Sequence, residues 1–262
     1  MQQRTSEMLL RAVLFDLWDT LISDAHHGRE PARLRLQNVQ SVLHKAGVHV
    51  EEPVLRQAYR ATMAELSELH DRALDISSDD QIRIFLSRLG PALGSDLSPD
   101  LFESVRGAYT SVILQVKPIV KEGAAQTLGD LKRRGLRLGL VSNTGTTPGS
   151  TLRKVLQNEG LIAYFDAFSF SDEVGMCKPA RGMFLDTLAK LETKPEEAVF
   201  VGDKPILDVE GPQHAGLVAV QIGDNLQDGI RPQARIGQLP ELIPALESLG
   251  YRFPTKTPLG LP

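Results

Sequence analysis

The sequence predicts an α/β fold, a mostly parallel sheet covered by helices, with a helical insertion after its first strand. Three observations carry that prediction. Short apolar runs alternate with helix-like stretches after residue 116. The runs are apolar throughout, as strands buried on both faces require. Between residues 24 and 116, strand-like runs give way to apolar residues at helical spacing.

In chain order, residues 11–16 (Arg-Ala-Val-Leu-Phe-Asp) are too short a run for a helix and read as a buried strand. Further strands are predicted over residues 137–142, 167–171, 198–202 and 216–221. A helix over 122–134 ends in basic residues followed by Gly135, and others span 151–160 and 182–191. In the insertion, Leu34, Val39, Val42 and Leu43 share one face, as do Val54, Leu55, Ala58 and Met63, then Ile82, Phe85, Leu86 and Leu89. Breaks are expected at Gly47, 75–80 and 90–99. The division that follows is a core of residues 1–22 and 117–251, an insertion of 23–116 and an irregular tail of 252–262.

The 262 residues are 42% hydrophobic and 24% charged, enough apolar material for a proper core. A net charge of −4 gives no basic footprint for nucleic acid. It leaves room for a small anionic partner, because a local pocket can oppose the global sign. The single Cys177 forbids an intrachain disulfide and suits a reducing compartment. Residues 1–10 lack the apolar core of a signal peptide, and no stretch is apolar for long enough to span a bilayer. The expectation is a cytoplasmic protein without membrane partners; oligomeric state is left open.

In an open parallel sheet, ligands bind at the carboxyl ends of the strands. The polar residues expected there are Asp16, Asp19 and Thr20, then Ser142 and Asn143, then Lys178, and finally Asp203 and Asp208. Carboxylates gathered at one edge repel unless a cation sits among them. A hard divalent ion with oxygen ligands, Mg²⁺ above all, fits that need.

Four segments in order, Phe15-Asp-Leu-Trp-Asp-Thr-Leu21, Leu140-Val-Ser-Asn143, Lys178-Pro179 and Val201-Gly-Asp-Lys-Pro-Ile-Leu-Asp208, resemble the four motifs of the haloacid dehalogenase-like hydrolase superfamily. The resemblance implies a Rossmann-like core and makes the insertion a helical cap of the first type. It implies that Asp16 attacks the electrophile and forms a covalent intermediate. It places Mg²⁺ on Asp16, Asp203 and the backbone carbonyl of Trp18, with Asp208 supporting the ion directly or through water. Ser142 would donate to a phosphoryl oxygen, Lys178 would neutralise charge and orient Asp16, and Thr20 and Asn143 join Ser142 in contacting substrate.

One position departs from the pattern. Phosphatases of this superfamily usually carry a second Asp two residues after the nucleophile, to protonate the leaving alcohol. Here that residue is Trp18, whose indole cannot do so. Loss of a general acid costs on the order of 10²–10⁴ in rate. The leading expectation is a Mg²⁺-dependent phosphatase of a small phosphorylated metabolite. Two alternatives stay open: a 2-haloacid dehalogenase, where an aromatic residue stands at this position, and a catalytically weakened binding protein.

Asp19 is not taken as a replacement acid. Lys204 reads as a solvated lysine, Cys177 as a passive neighbour of Lys178, and Arg29, Arg33 and Arg35 as a charged helix face. His26 and His27 stand where a loop residue could reach over the site; exposure is their expected state. His44, His49, His70 and His214 show no metal-ligand spacing.

Overall fold

A computed structural model describes residues 8–24 and 29–254. His26 and His27, the first seven residues, the Arg29 side chain and the tail beyond residue 254 lie outside the described residues.

The chain opens with strands β1 (Met8–Leu9), β2 (Ala12–Phe15) and β3 (Ile22–Ser23). The insertion follows as helices α1 (Arg29–Lys45), α2 (Glu52–Asp71), α3 (Ser78–Ser87), α4 (Pro91–Ser95), α5 (Pro99–Thr110) and α6 (Val112–Gln115). The remainder alternates: β4 (Ile119–Val120), α7 (Ala124–Arg133), β5 (Arg137–Ser142), α8 (Gly149–Asn158), β6 (Ala167–Phe170) and α9 (Ser171–Val174). Next come α10 (Arg181–Lys190), β7 (Ala198–Gly202), a π-helical turn (Pro205–Glu210), α11 (Gly211–His214), β8 (Val218–Ile222), β9 (Ala234–Ile236), α12 (Leu242–Ser248) and β10 (Tyr251–Arg252).

Six strands form one parallel sheet in the order β6-β5-β2-β7-β8-β9. Alternation along the central strands divides the core. Val13 and Phe15 of β2 and Val199 and Val201 of β7 face a cluster that includes Leu128, Leu131, Leu152 and Leu246, from α7, α8 and α12. Ala12, Leu14, Ala198 and Phe200 face Met183, Phe184 and Leu188 of α10. Gly139 lets α10 lie close on β5, since a Cβ there would stand 2.5 Å from Thr187 Cγ2.

The insertion builds its own core from Leu36, Val39, Leu43, Leu55, Ala58, Ile82, Phe85, Leu86, Val105 and Tyr109. Its chain leaves and returns through the short antiparallel pair β3–β4. Three expectations need correcting here. Arg35 is not on a charged face: it is buried, with Nε donating to the Tyr109 carbonyl at 2.7 Å and the guanidinium over the Tyr109 ring. Burial is tolerable because the carbonyl, the ring and Tyr59 Oη satisfy the cation. The break expected over 75–80 closes earlier, because Ser77 caps α3 by accepting from the Asp80 N–H at 3.1 Å. The break over 90–99 likewise holds the short helix α4. Among the described residues, no helix is long and apolar enough to cross a membrane.

Candidate active site

The chain steps from β2 outward through β5 to β6, then crosses back to β7 on the other side of β2. The sheet order therefore reverses between β2 and β7, where a crevice opens at the carboxyl ends of the strands. Register fixes what lies there. Phe15 is level with Leu140 and Val201, so Asp16 leaves its strand level with Val141 and Gly202, and Ser142 and Asp203 follow one residue farther along the neighbouring strands. The Asp16 N–H donates to the Val201 carbonyl at 2.9 Å, carrying the ladder one residue past the strand.

Beyond Asp16 the chain turns tightly. Leu21 and Ile22 both donate to the Leu17 carbonyl, and Asp19 donates to the Ile22 carbonyl at 2.7 Å. Asp19 takes the left-handed conformation (φ 59°) that this turn needs and that Asp tolerates better than most residues. The turn leaves Trp18 half-buried against the sheet's core. Thr20 is fully buried beneath Asp16, and its hydroxyl donates to Asp16 Oδ2 at 3.3 Å. That placement turns the Thr20 hydroxyl toward the Asp16 carboxylate.

Lys178 is 2% exposed and spans two carboxylates, with Nζ 2.5 Å from Asp16 Oδ1 and 2.6 Å from Asp208 Oδ1. Its segment is clamped by Asn143: the Lys178 N–H donates to Asn143 Oδ1 at 2.8 Å, and Asn143 Nδ2 donates to the Lys178 carbonyl at 3.1 Å. Asn143 thus positions the lysine. Ser142 is fully buried, and its hydroxyl donates to the Asn143 carbonyl at 3.3 Å. Asp208 Oδ2 accepts from the Lys204 N–H at 2.9 Å, while the Lys204 side chain is exposed. Gly202 permits this approach: a Cβ there would stand 2.5 Å from Asp208 Cβ and Cγ.

Asp16, Asp203 and Asp208 each present a carboxylate oxygen within 4.8 Å of the others. Ionised together, three carboxylates against one buried ammonium would leave two negative charges in excess. Burial pushes Asp16 up to about 6, with Lys178 opposing and Asp208 adding to the shift. Burial, then the charges of Asp16 and Asp208, push Asp203 up to about 7. Burial alone would discharge Lys178, but Asp16 and Asp208 outweigh it and hold the ammonium above its ordinary range. Asp203 Oδ1 is buried without a hydrogen-bond partner. An orphaned carboxylate oxygen beside two more acids is a donor set suited to a hard divalent cation.

A cavity of about 630 Å³ opens beside Lys178, lined also by Asn143, Lys204 and Asn225 and, from the end of α2, His70 and Asp71. A second recess of about 300 Å³ reaches Asp19, Lys121 and Asp203. Two contributors escaped the sequence reading. Gln221 is buried on β8, and its amide donates to the Asp203 carbonyl at 3.2 Å. Its place on a strand read as wholly apolar was the available signal. His70 is on the insertion, and nothing in its local sequence separates it from any other polar residue of an amphipathic helix.

Cys177 is buried, and burial pushes its thiol up to about 11.

The model of the haloacid dehalogenase-like hydrolases matches residues 10–216. The chain is 28% identical over 230 residues to the glyceraldehyde 3-phosphate phosphatase of Methanopyrus kandleri, covering 86% of this chain and 89% of that protein. It is 30% identical over 209 residues to the ribulose-1,5-bisphosphate 5-phosphatase of Halopiger xanaduensis, covering 80% and 83%. Among solved structures, the 2-haloacid dehalogenase of Pseudomonas syringae pv. Tomato superposes with a TM-score of 0.68 at 21% identity, over 92% of this chain and all of that one. At that identity the likeness speaks to fold.

Proposed function

The chain belongs to the haloacid dehalogenase-like hydrolase family, and from that premise we propose a Mg²⁺-dependent phosphatase of a small phosphorylated metabolite that works through an aspartyl-phosphate on Asp16. Its relatives at 28–30% identity over most of the chain are phosphatases of such compounds. The observation that carries the reading is Lys178 bridging Asp16 and Asp208 beside the unpartnered oxygen of Asp203.

Asp16 and Asp203, with the Trp18 carbonyl, would hold Mg²⁺; Asp208, whose oxygens already serve Lys178 and the Lys204 N–H, would act from behind them. When bound, the ion offsets the excess carboxylate charge and the negative charge of a phosphoryl group. Asp16 attacks phosphorus, the bond to the leaving oxygen breaks, and water later cleaves the aspartyl-phosphate to inorganic phosphate. Lys178 keeps Asp16 ionised and oriented despite its burial, and a fixed positive charge stabilises the spreading negative charge. Ser142 is the hydroxyl donor at the end of β5. Residues 23–116 act as a cap whose closure excludes water.

Trp18 favours a second reading, 2-haloacid dehalogenation, because halide departs without a proton. It leaves the orphaned Asp203 oxygen unused. Turnover of an aryl phosphate that is abolished by EDTA and by Asp16→Asn supports the phosphatase. Chloride release from 2-chloropropionate without added metal, and no phosphate release, overturns it.

A further inference from the structure

We propose that His70, oriented by Asp75, is the general acid and base of this phosphatase, supplied from the insertion in place of the carboxylate absent at Trp18. The inference rests on the phosphatase reading and asks where its proton comes from. Departure of an alcohol from a phosphate ester needs protonation at the leaving oxygen, and an indole has no acidic group for it.

Four observations place His70 in that role. First, it lines the same cavity as Lys178, Asn143 and Lys204; none of His44, His49 and His214 does. His44 and His49 pack on each other, ring centroids 4.6 Å apart.

Second, the end of α2 is fastened to the segment that bears the catalytic lysine. Leu74 bridges Met176, the Cys177 N–H donates to the Ala73 carbonyl at 3.1 Å, and the Asp75 N–H to the Gly175 carbonyl at 3.3 Å. The Cys177 thiol reaches the His70 carbonyl at 3.7 Å. His70 is therefore anchored beside the lysine loop, although 108 positions earlier in the chain than Lys178.

Third, Asp75 is buried and steadied by the Ile76 N–H, which donates to its Oδ1 at 2.8 Å. His70 Nε2, buried and without a hydrogen-bond partner, stands 3.3 Å from that oxygen, and Asp75 Oδ2 is likewise unpartnered. A carboxylate that close pairs with one nitrogen of a protonated ring and leaves the other to exchange a proton. Fourth, the surroundings favour the protonated ring. Asp75 raises the His70 pKa above its ordinary value, burial opposes, and Asp71 adds to the rise. Lys178 and Lys204 face the same cavity, and the Cys177 thiol stays neutral.

In the first step, Asp16 forms the bond to phosphorus, the phosphorus–oxygen bond to the leaving group breaks, and the His70 imidazolium gives its proton to that oxygen. In the second, neutral His70 takes a proton from the water that attacks phosphorus, the bond to Asp16 breaks, and the imidazolium is restored. Asp75 is a positioning residue.

The test compares an alkyl phosphate with 4-nitrophenyl phosphate, whose leaving group needs little protonation, on the full chain with Mg²⁺. In kcat/KM, which reports leaving-group departure and not the shared hydrolysis of the aspartyl-phosphate, His70→Gln is expected to slow the alkyl substrate by about 10²–10⁴ and the aryl substrate far less. Wild-type activity on the alkyl substrate should fall as pH rises through the His70 pKa, Asp75→Asn should move that limb to lower pH, and Trp18→Asp should restore alkyl turnover to His70→Gln. Equal losses on both substrates, or an alkyl limb unmoved by Asp75→Asn, overturn the proposal. Should the variants fail to fold, the wild-type profiles decide: a limb confined to the alkyl substrate supports it, and its absence refutes it. Turnover that survives Asp16→Asn refutes the phosphatase reading itself.

Discussion

Replacing Lys178 with Met removes the ammonium and keeps most of the side-chain volume. In the native protein that ammonium contacts Asp16 at 2.5 Å and Asp208 at 2.6 Å, with all three groups buried. Breaking a buried pair by removing one partner costs about 3–5 kcal/mol, because a charge is left without compensation. For a chain of this size that is a fall in Tm of about 6–20 °C. The loss must depend on pH. Asp16 already holds its proton up to about 6 with Lys178 in place; without it the pKa climbs further. A carboxylate whose folded pKa is raised binds more protons folded than unfolded, so the variant loses stability as pH rises through the window above the ordinary carboxylate value. Urea unfolding with EDTA present, at about pH 5.5 and about pH 8, measures both effects. The expected result is a small deficit at the lower pH and the full deficit at the higher one. A deficit below about 1 kcal/mol at the higher pH would refute a buried, charged triad.

Other consequences follow from the same cluster. Asp203, pushed up to about 7, keeps a proton in the fold that the unfolded chain releases near 4. Metal-free protein should therefore lose stability as pH rises across that window, and Mg²⁺ should raise Tm more at about pH 8 than at about pH 5.5, as calorimetry would show. An equal Mg²⁺ effect at both would argue against Asp203 as a ligand. Gly202→Ala puts a methyl 2.5 Å from Asp208, whose oxygens are both engaged. A loss of about 1–3 kcal/mol is expected, with reduced turnover as Asp208 shifts from Lys178; thermal melts and phosphate release measure both.

The sheet was legible because two-sided burial writes itself as runs without polar interruption, as in 12–15 and 198–202. The site was legible for a related reason: polar residues that end such runs have little choice but the sheet's edge. Asp16, Lys178, Asp203 and Asp208 meet there, with Ser142 at the end of the neighbouring β5. What stayed hidden depends on pairing between distant segments. Strands β1 and β10 are two residues each and exist only as each other's partners. Strand β9 is three residues long and carries Arg235 at its centre, so it shows no apolar run. Arg35 looks like any helix-surface arginine until Tyr59 and Tyr109 close around it. His70 gains its meaning from the contact of residues 73–75 with 175–177, which no local pattern announces.

The direct test of the covalent role given to Asp16 is acid quenching during turnover of a phosphorylated substrate, followed by peptide mass spectrometry. The account predicts a phosphoryl group on the peptide containing residue 16, absent from Asp16→Asn and lost on chase with unlabelled substrate. Steady turnover with no such adduct at any quench time, or an adduct on a different residue, would contradict it.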